Sequence, residues 1–270
     1  MPEKNRLPPP QCVHWGTPLI NAGGEGRCRA IGFFGGESMR RILLLMFLPF
    51  LILKVHASET KYVALTFDDG PSGRFTEALL DGLYDRGAKG TFLLCGYRVQ
   101  QYPELTQRIF DEGHEIGLHG YSHKTMKGMS RRSIAQEILD TEALLPKGCR
   151  PVFLRPPGGF SSDPVVEVAK ARGLPILKWS VDPRDWATQD TVAIETFVLE
   201  KIRDGDIVLL HDMSESSVNA ALAIVDQLLE EDFEFVTVSE LARIRRAKLI
   251  PGREYKAFPP GEGLGAPAPV

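Results

Sequence analysis

Lys61-Tyr-Val-Ala-Leu-Thr-Phe-Asp68-Asp69-Gly70-Pro71-Ser72-Gly73 is the stretch from which the rest of the chain can be read. Its first part is apolar and β-branched, the pattern of a buried strand. Gly70-Pro71-Ser72-Gly73 cannot extend a strand and predicts a turn. Two adjacent carboxylates therefore sit where a strand ends and a loop begins. Side chains alternate along a strand, but twist and turn at its end can bring both toward one place. Two acids so close resist ionising together unless a cation or a buried base stands near. Taken alone, Asp-Asp-Gly describes an ordinary solvated turn. What gives it chemical weight lies downstream.

Apolar strand-like runs at 62–67, 90–95, 114–118, 152–155, 175–180, 206–210 and 233–237 alternate with amphipathic helical runs near 74–86, 103–112, 131–145, 163–172, 191–203, 216–231 and 239–247. Gly87, Gly113, Gly173 and Gly205 fall where C-terminal helix caps belong, and Ser130, Ser162 and Ser239 where N-caps belong. Repeated β-then-α units predict an α/β fold with parallel strands, in a barrel or an open sheet. No helix-free linker divides them, so residues 58–247 read as a single domain. The Pro- and Gly-rich tail, 248–270, is predicted to be loosely ordered.

The chain has 270 residues, 43% of them hydrophobic, and a formal net charge of -3. That suffices for a sizeable core and gives no electrostatic argument for nucleic acid or an anionic membrane surface. The first 38 residues carry prolines and glycines without an apolar period. Met39-Arg40-Arg41 then precedes a twelve-residue apolar run, 42–53, broken by Pro49 and followed by Val55-His56-Ala57. A basic start, a short apolar core and a Val-x-Ala site describe a secretory signal peptide. The run is short of the ~20 residues of a membrane span. We therefore expect a start at Met39, a signal over 39–57 and a secreted, extracytoplasmic mature chain. Residues 1–38 are then not part of the native protein, and the codons of Gly35-Gly36-Glu37 can spell a purine-rich ribosome-binding site. Cys95 and Cys149 are predicted at opposite ends of the sheet, beyond the ~7 Å between Cα atoms that a disulfide tolerates, and so free.

In parallel α/β folds the site forms at the carboxyl ends of the strands. Polar residues gather there in this sequence: Asp68-Asp69, His119 with His123, Arg155, the run from Trp179 to Asp182, and His211-Asp212. The spacing of His119 and His123 suits joint ligation of a metal on one turn. Two histidines and one carboxylate leave positions open for water, as in catalytic zinc sites. Either aspartate can supply that carboxylate, and the other is then free to act as a base. His114 reads as structural. Arg155-Pro-Pro-Gly-Gly159 is a stiff turn after a strand; a buried arginine there needs a carboxylate partner, and Asp68 is a candidate.

Five ordered motifs together carry a resemblance. They are Thr66-Phe-Asp-Asp-Gly70, Gly113-His-Glu-Ile-Gly-Leu-His119-Gly-Tyr-Ser-His123, Arg155-Pro-Pro-Gly-Gly159, Trp179-Ser-Val-Asp-Pro-Arg-Asp-Trp186 and Ile207-Val-Leu-Leu-His-Asp212. Over residues 61–245 the chain resembles the polysaccharide deacetylases, carbohydrate esterases that include chitooligosaccharide and peptidoglycan N-acetylglucosamine deacetylases. The resemblance implies a distorted (β/α) barrel, often of seven strands. It implies that Asp69, His119 and His123 bind a divalent metal, usually zinc, with cobalt an alternative. It further implies Asp68 as catalytic base held by Arg155, and His211 as general acid oriented by Asp185. Trp179 and Leu209 would line the pocket for the acetyl methyl. The family commonly has tyrosine where this chain has Gly158. The backbone N–H there would still hold the oxyanion, but an aromatic wall would be lost. The expected partner is a polysaccharide or oligosaccharide met by a monomer, with no nucleic acid and no stable membrane span. Two other readings stay open: an O-acetyl esterase on xylan or another acetylated polymer, and an inactive carbohydrate-binding relative.

Overall fold

The computed structural model of the chain describes residues 60–261. The expected start at Met39, the signal over 39–57 and the exclusion of residues 1–38 lie outside the described residues. In chain order the elements are β1 (Lys61–Asp68), α1 (Arg74–Asp85), β2 (Gly90–Leu94), α2 (Gly96–Gln101), α3 (Pro103–Asp111), β3 (Glu115–Leu118) and α4 (Arg131–Glu142). There follow α5 (Asp163–Ala171), β4 (Ile176–Leu177), α6 (Thr191–Lys201), β5 (Ile207–His211), α7 (Glu215–Glu230), β6 (Phe233–Phe235), α8 (Val238–Ile244) and β7 (Glu254–Tyr255).

β1 is the centre of the molecule. It pairs in parallel with β2 on one side and β5 on the other, and its first residues pair with β6. β3 continues the sheet beyond β2. Single parallel bridges carry the pairing on, from Leu118 to Leu154, from Leu154 to Ile176, and from Val181 back to Val208 of β5. The strand expected over 152–155 is thus one residue, Leu154, bridged on both sides, and that over 175–180 is two residues with a separate contact at Val181. The reason is proline: Pro151, Pro156, Pro157 and Pro175 bring no N–H to a ladder.

β1 is buried on both faces, and its alternation sorts the interior. Val63, Leu65 and Phe67 pack with Leu79, Leu80 and Leu83 of α1 and with Ile224 and Leu228 of α7. Ala64 points the other way and packs with Phe153, Leu177 and Ile207. Thr66 and Asp68 continue that inner face upward, so an apolar floor gives way to polar groups at the carboxyl end. Fully burying one leucine or phenylalanine of this core is worth ~1.5–3 kcal/mol. The sheet is thereby a rigid platform for whatever its upper rim carries.

The helix ends differ in part from expectation. Ser130 caps α4 by accepting the Ser133 N–H, as predicted. Ser162 holds the N-cap position of α5 without a side-chain bond. α8 is capped by Thr237 in a capping box with Glu240, not by Ser239. The loose tail is also corrected for its described part, up to residue 261. β7 pairs with β4, Phe258 is buried, and the Phe258 N–H donates to Gly205 O at 2.7 Å. A Pro- and Gly-rich composition sets how stiff a segment is, but not whether an edge strand waits to receive it. Cys95 and Cys149 are free, as expected. No helix among the described residues is long and apolar enough to cross a membrane.

Candidate active site

Five chain segments end at one rim. Asp68 closes β1, and its register partner across the ladder is His211, the last residue of β5. His119 follows β3, Arg155 follows the bridge at Leu154, and Trp179 follows β4. They surround a cavity of about 380 Å³ whose lining includes Asp68, Asp69, His119, His123, Trp179 and His211.

Arg155 is the largest fully buried side chain among the described residues, at 0% exposure. Its Nη1 donates to Asp68 Oδ1 at 2.6 Å and to Thr66 Oγ1 at 2.9 Å. Its Nη2 donates to Lys178 O at 2.9 Å and its Nε to Leu177 O at 3.3 Å. A buried guanidinium is tolerable only when its donors are met in this way. Asp68 is thereby fixed through one oxygen, with Oδ2 left 3.7 Å from His119 Nε2.

Asp69 sits on left-handed backbone, with φ of 73°. That turns its carboxylate toward the two imidazoles: Oδ1 lies 3.3 Å from His119 Nε2 and 3.0 Å from His123 Nε2. The same oxygen is buried and accepts no well-aligned hydrogen bond. The three donor atoms lie within 4.8 Å of one another. His119 Nδ1–H donates to Arg155 O at 2.7 Å, so Nε2 is the nitrogen turned toward Asp69 and available to a metal. An orphaned carboxylate oxygen facing two fixed imidazoles is a donor set that fits a divalent cation. Burial pushes the Asp69 carboxyl up, but the two imidazoles outweigh it and hold the group well below the usual carboxylate range. It is charged, the form a ligand needs.

His211 is gripped from one side. Its Nδ1 donates to Asp185 Oδ1 and its backbone N–H to Asp185 Oδ2, each at 2.8 Å. Burial pushes the imidazole down, Asp185 pulls it up further, and it comes to rest at about 9. It is therefore an imidazolium at neutral pH, with Nε2 as the open nitrogen. Asp185→Asn should move the alkaline limb of any His211-dependent rate to lower pH, because the group then loses its proton earlier. The sign for stability follows from the same shift. The pairing adds stability below the ordinary value of 6.5 and loses it as pH rises through about 9. The melting-temperature deficit of Asp185→Asn should accordingly be widest below pH 6.5 and shrink on passing about 9.

The family profile for polysaccharide deacetylase matches residues 56–177. A peptidoglycan-N-acetylglucosamine deacetylase of Bacillus cereus is 41% identical over 191 residues, which cover 68% of this chain and 90% of the relative. The chain belongs to the polysaccharide deacetylase family. A chitooligosaccharide deacetylase of Sinorhizobium fredii is 36% identical over 201 residues, covering 73% of this chain and 87% of the relative. Among solved structures, a family 4 acetyl xylan esterase from Clostridium thermocellum in complex with a cobalt ion superposes with a TM-score of 0.68. It is 34% identical, and the alignment covers 74% of this chain and all of the other.

Against that family pattern the departure at position 158 has a structural reading. Gly158 has φ of 68°, a conformation glycine takes at no steric cost. Its N–H finds no acceptor among the described residues, whereas that of Gly159 goes to Pro156 O at 2.8 Å. An aromatic ring stands beside position 158, though outside the residues that line the cavity. The ring of Phe160, 55% exposed, stands 3.6 Å from where a Cβ on Gly158 would lie. Lys127 covers that ring, with Nζ 5.4 Å from its centroid.

One residue of the site escapes a reading of local sequence, and a second was passed over despite a signal. Glu137 of α4 accepts the N–H groups of Tyr121 and Ser122 at 2.7 Å and the Ser122 hydroxyl at 2.8 Å, pinning the loop between His119 and His123. Nothing near it in the sequence marks it out from other helical glutamates. Thr66 had a signal, since strand alternation places it on the face of Asp68. His114 is buried and accepts the Gly90 N–H at 3.1 Å through Nδ1, the structural role expected of it.

Proposed function

We propose that this protein hydrolyses N-acetyl groups on N-acetylglucosamine units of an extracytoplasmic polysaccharide, a peptidoglycan or chitin-type oligomer, and releases acetate. The observation that carries the reading is the facing arrangement across β1 and β5. A buried, arginine-held carboxylate and a carboxylate-held imidazolium flank one three-donor set in one cavity. Asp69, His119 and His123 would hold the divalent ion, zinc or cobalt. When bound, that ion supplies Lewis-acid polarisation of the acetyl carbonyl and lowers the pKa of a water toward ~7.

The remaining work falls to the chain. Asp68 takes the proton of the attacking water through its open oxygen, while Arg155 keeps that carboxylate aimed. The Gly158 N–H donates to the oxyanion as it forms. His211 gives its proton to the departing nitrogen, which leaves poorly as an anion. Trp179 and Leu209 wall the cavity on the side suited to the acetyl methyl. Relatives named for peptidoglycan and chitooligosaccharide support a glucosaminyl amide, and the basic, apolar, Val-x-Ala order of residues 39–57 supports action outside the cytoplasm. The acetyl xylan esterase likeness supports a second reading, ester hydrolysis by the same groups.

Acetate release from peptidoglycan, chitooligomers and acetylxylan, with and without chelator, separates these readings. Chelation should abolish release and zinc or cobalt should restore it. His119→Ala should lower metal content, since one of three donors is gone. Full activity in chelator would refute the metal assignment, and activity on acetylxylan alone would select the esterase.

A further inference from the structure

Gly70 follows the two aspartates directly, and its backbone is not in the left-handed region. An L-residue could adopt that conformation, so the glycine needs another explanation. A Cβ built on it would lie 2.5 Å from Oδ2 and 2.8 Å from Cγ of Asp212, closer than real Cβ atoms approach anything. Asp212 is fully buried, at 0% exposure, and belongs to neither the metal set nor the acid–base pair. Its Oδ2 accepts the Thr76 hydroxyl and its backbone oxygen accepts the Ser72 hydroxyl. Thr76 Oγ1 in turn accepts the Ser72 N–H at 2.7 Å. Oδ1 of Asp212 is buried without a hydrogen-bond partner. A buried carboxylate oxygen without a partner is costly, so the group is held where it is by the rest of the fold.

We propose that Asp212 is a positioning residue: its carboxylate is a strut beneath Gly70 that sets the Asp68-Asp69 turn at a fixed distance from His211. Asp212 is the next residue after His211, and Gly70 the next after Asp69, so one contact couples the strand end bearing the acid to the turn bearing base and ligand. The inference rests on the deacetylase reading only for what the spacing accomplishes. The spacing itself can be read from cobalt binding, without substrate.

The test is a double-mutant cycle of Gly70→Ala and Asp212→Ala. Its readouts are the visible absorption of bound Co2+, the cobalt affinity of the apo-protein, and kcat against KM on a chitooligomer. Each single variant should alter the cobalt spectrum and lower kcat with little change in KM. The double variant should resemble Asp212→Ala, falling short of the product of the single losses by about tenfold, because residues in contact do not act additively. Losses that multiply would overturn the proposal. If Gly70→Ala does not fold, Thr76→Val decides. It removes the hydroxyl that seats Asp212 and accepts the Ser72 N–H, and should shift the cobalt spectrum and lower kcat severalfold. A Thr76→Val protein identical to the parent in both would also overturn it. If no substrate yields acetate while the cobalt affinities remain non-additive, the deacetylase reading fails and the strut stands.

Discussion

Asp68→Asn should bind zinc or cobalt as the parent does and release acetate ~10²–10⁴-fold more slowly, the range of a lost general base. Asparagine keeps the shape and one acceptor oxygen for Arg155, so what disappears is the capacity to take a proton. The metal set is left alone, because Asp69, not Asp68, faces both imidazoles at hydrogen-bond range. The substitution also costs stability. Breaking a buried ion pair leaves the surviving charge uncompensated, typically ~3–5 kcal/mol when the partner is removed outright. Here the cost is smaller, since Thr66, Leu177 and Lys178 still accept from the guanidinium. Turnover should therefore be compared well below the melting temperature of the variant, beside its metal content. A protein that loses its metal would place Asp68 among the ligands instead.

His211→Ala should show the second large effect, again ~10²–10⁴-fold on an amide substrate. The imidazolium is prepared for proton donation: Asp185 fixes its Nδ1 and keeps it charged at neutral pH. An amine leaves poorly until protonated, whereas an alkoxide depends less on full proton transfer. The loss should thus be smaller on an acetyl ester than on an N-acetyl substrate. Equal losses on both would show that His211 does something other than protonate the leaving group. Metal content is the control here too, and it should match the parent.

Much of this arrangement was legible in the sequence because its signals are local. A buried strand ending in Asp68-Asp69, a histidine pair four apart and an arginine before two prolines each need only a few residues to be seen. Their convergence follows from a general rule of parallel strands, that polar ends share a rim. What was hidden depends on partners far away in the chain. The strand at 175–180 was readable, but not that only Ile176 and Leu177 of it would pair with β7, because β7 lies in a segment whose composition argues for disorder. Glu137, and the contact of Asp212 with Gly70, are hidden for the same reason. A glutamate on a helix and an aspartate after a histidine gain meaning only from the backbone that packs beside them.

The late pairing of β7 with β4 has a consequence for the order in which the molecule becomes complete. The Ile176 N–H donates to Arg253 O and the Lys178 N–H to Tyr255 O, just before Trp179 enters the cavity. During synthesis those acceptors are almost the last part of the described chain to emerge. The backbone before Trp179 gains these two bonds only then, whereas Asp69 and His119 follow β1 and β3, which pair with β2 and lie away from β7. Proteolytic trimming back past Arg253 would remove both bonds and leave the cavity wall at Trp179 unbraced.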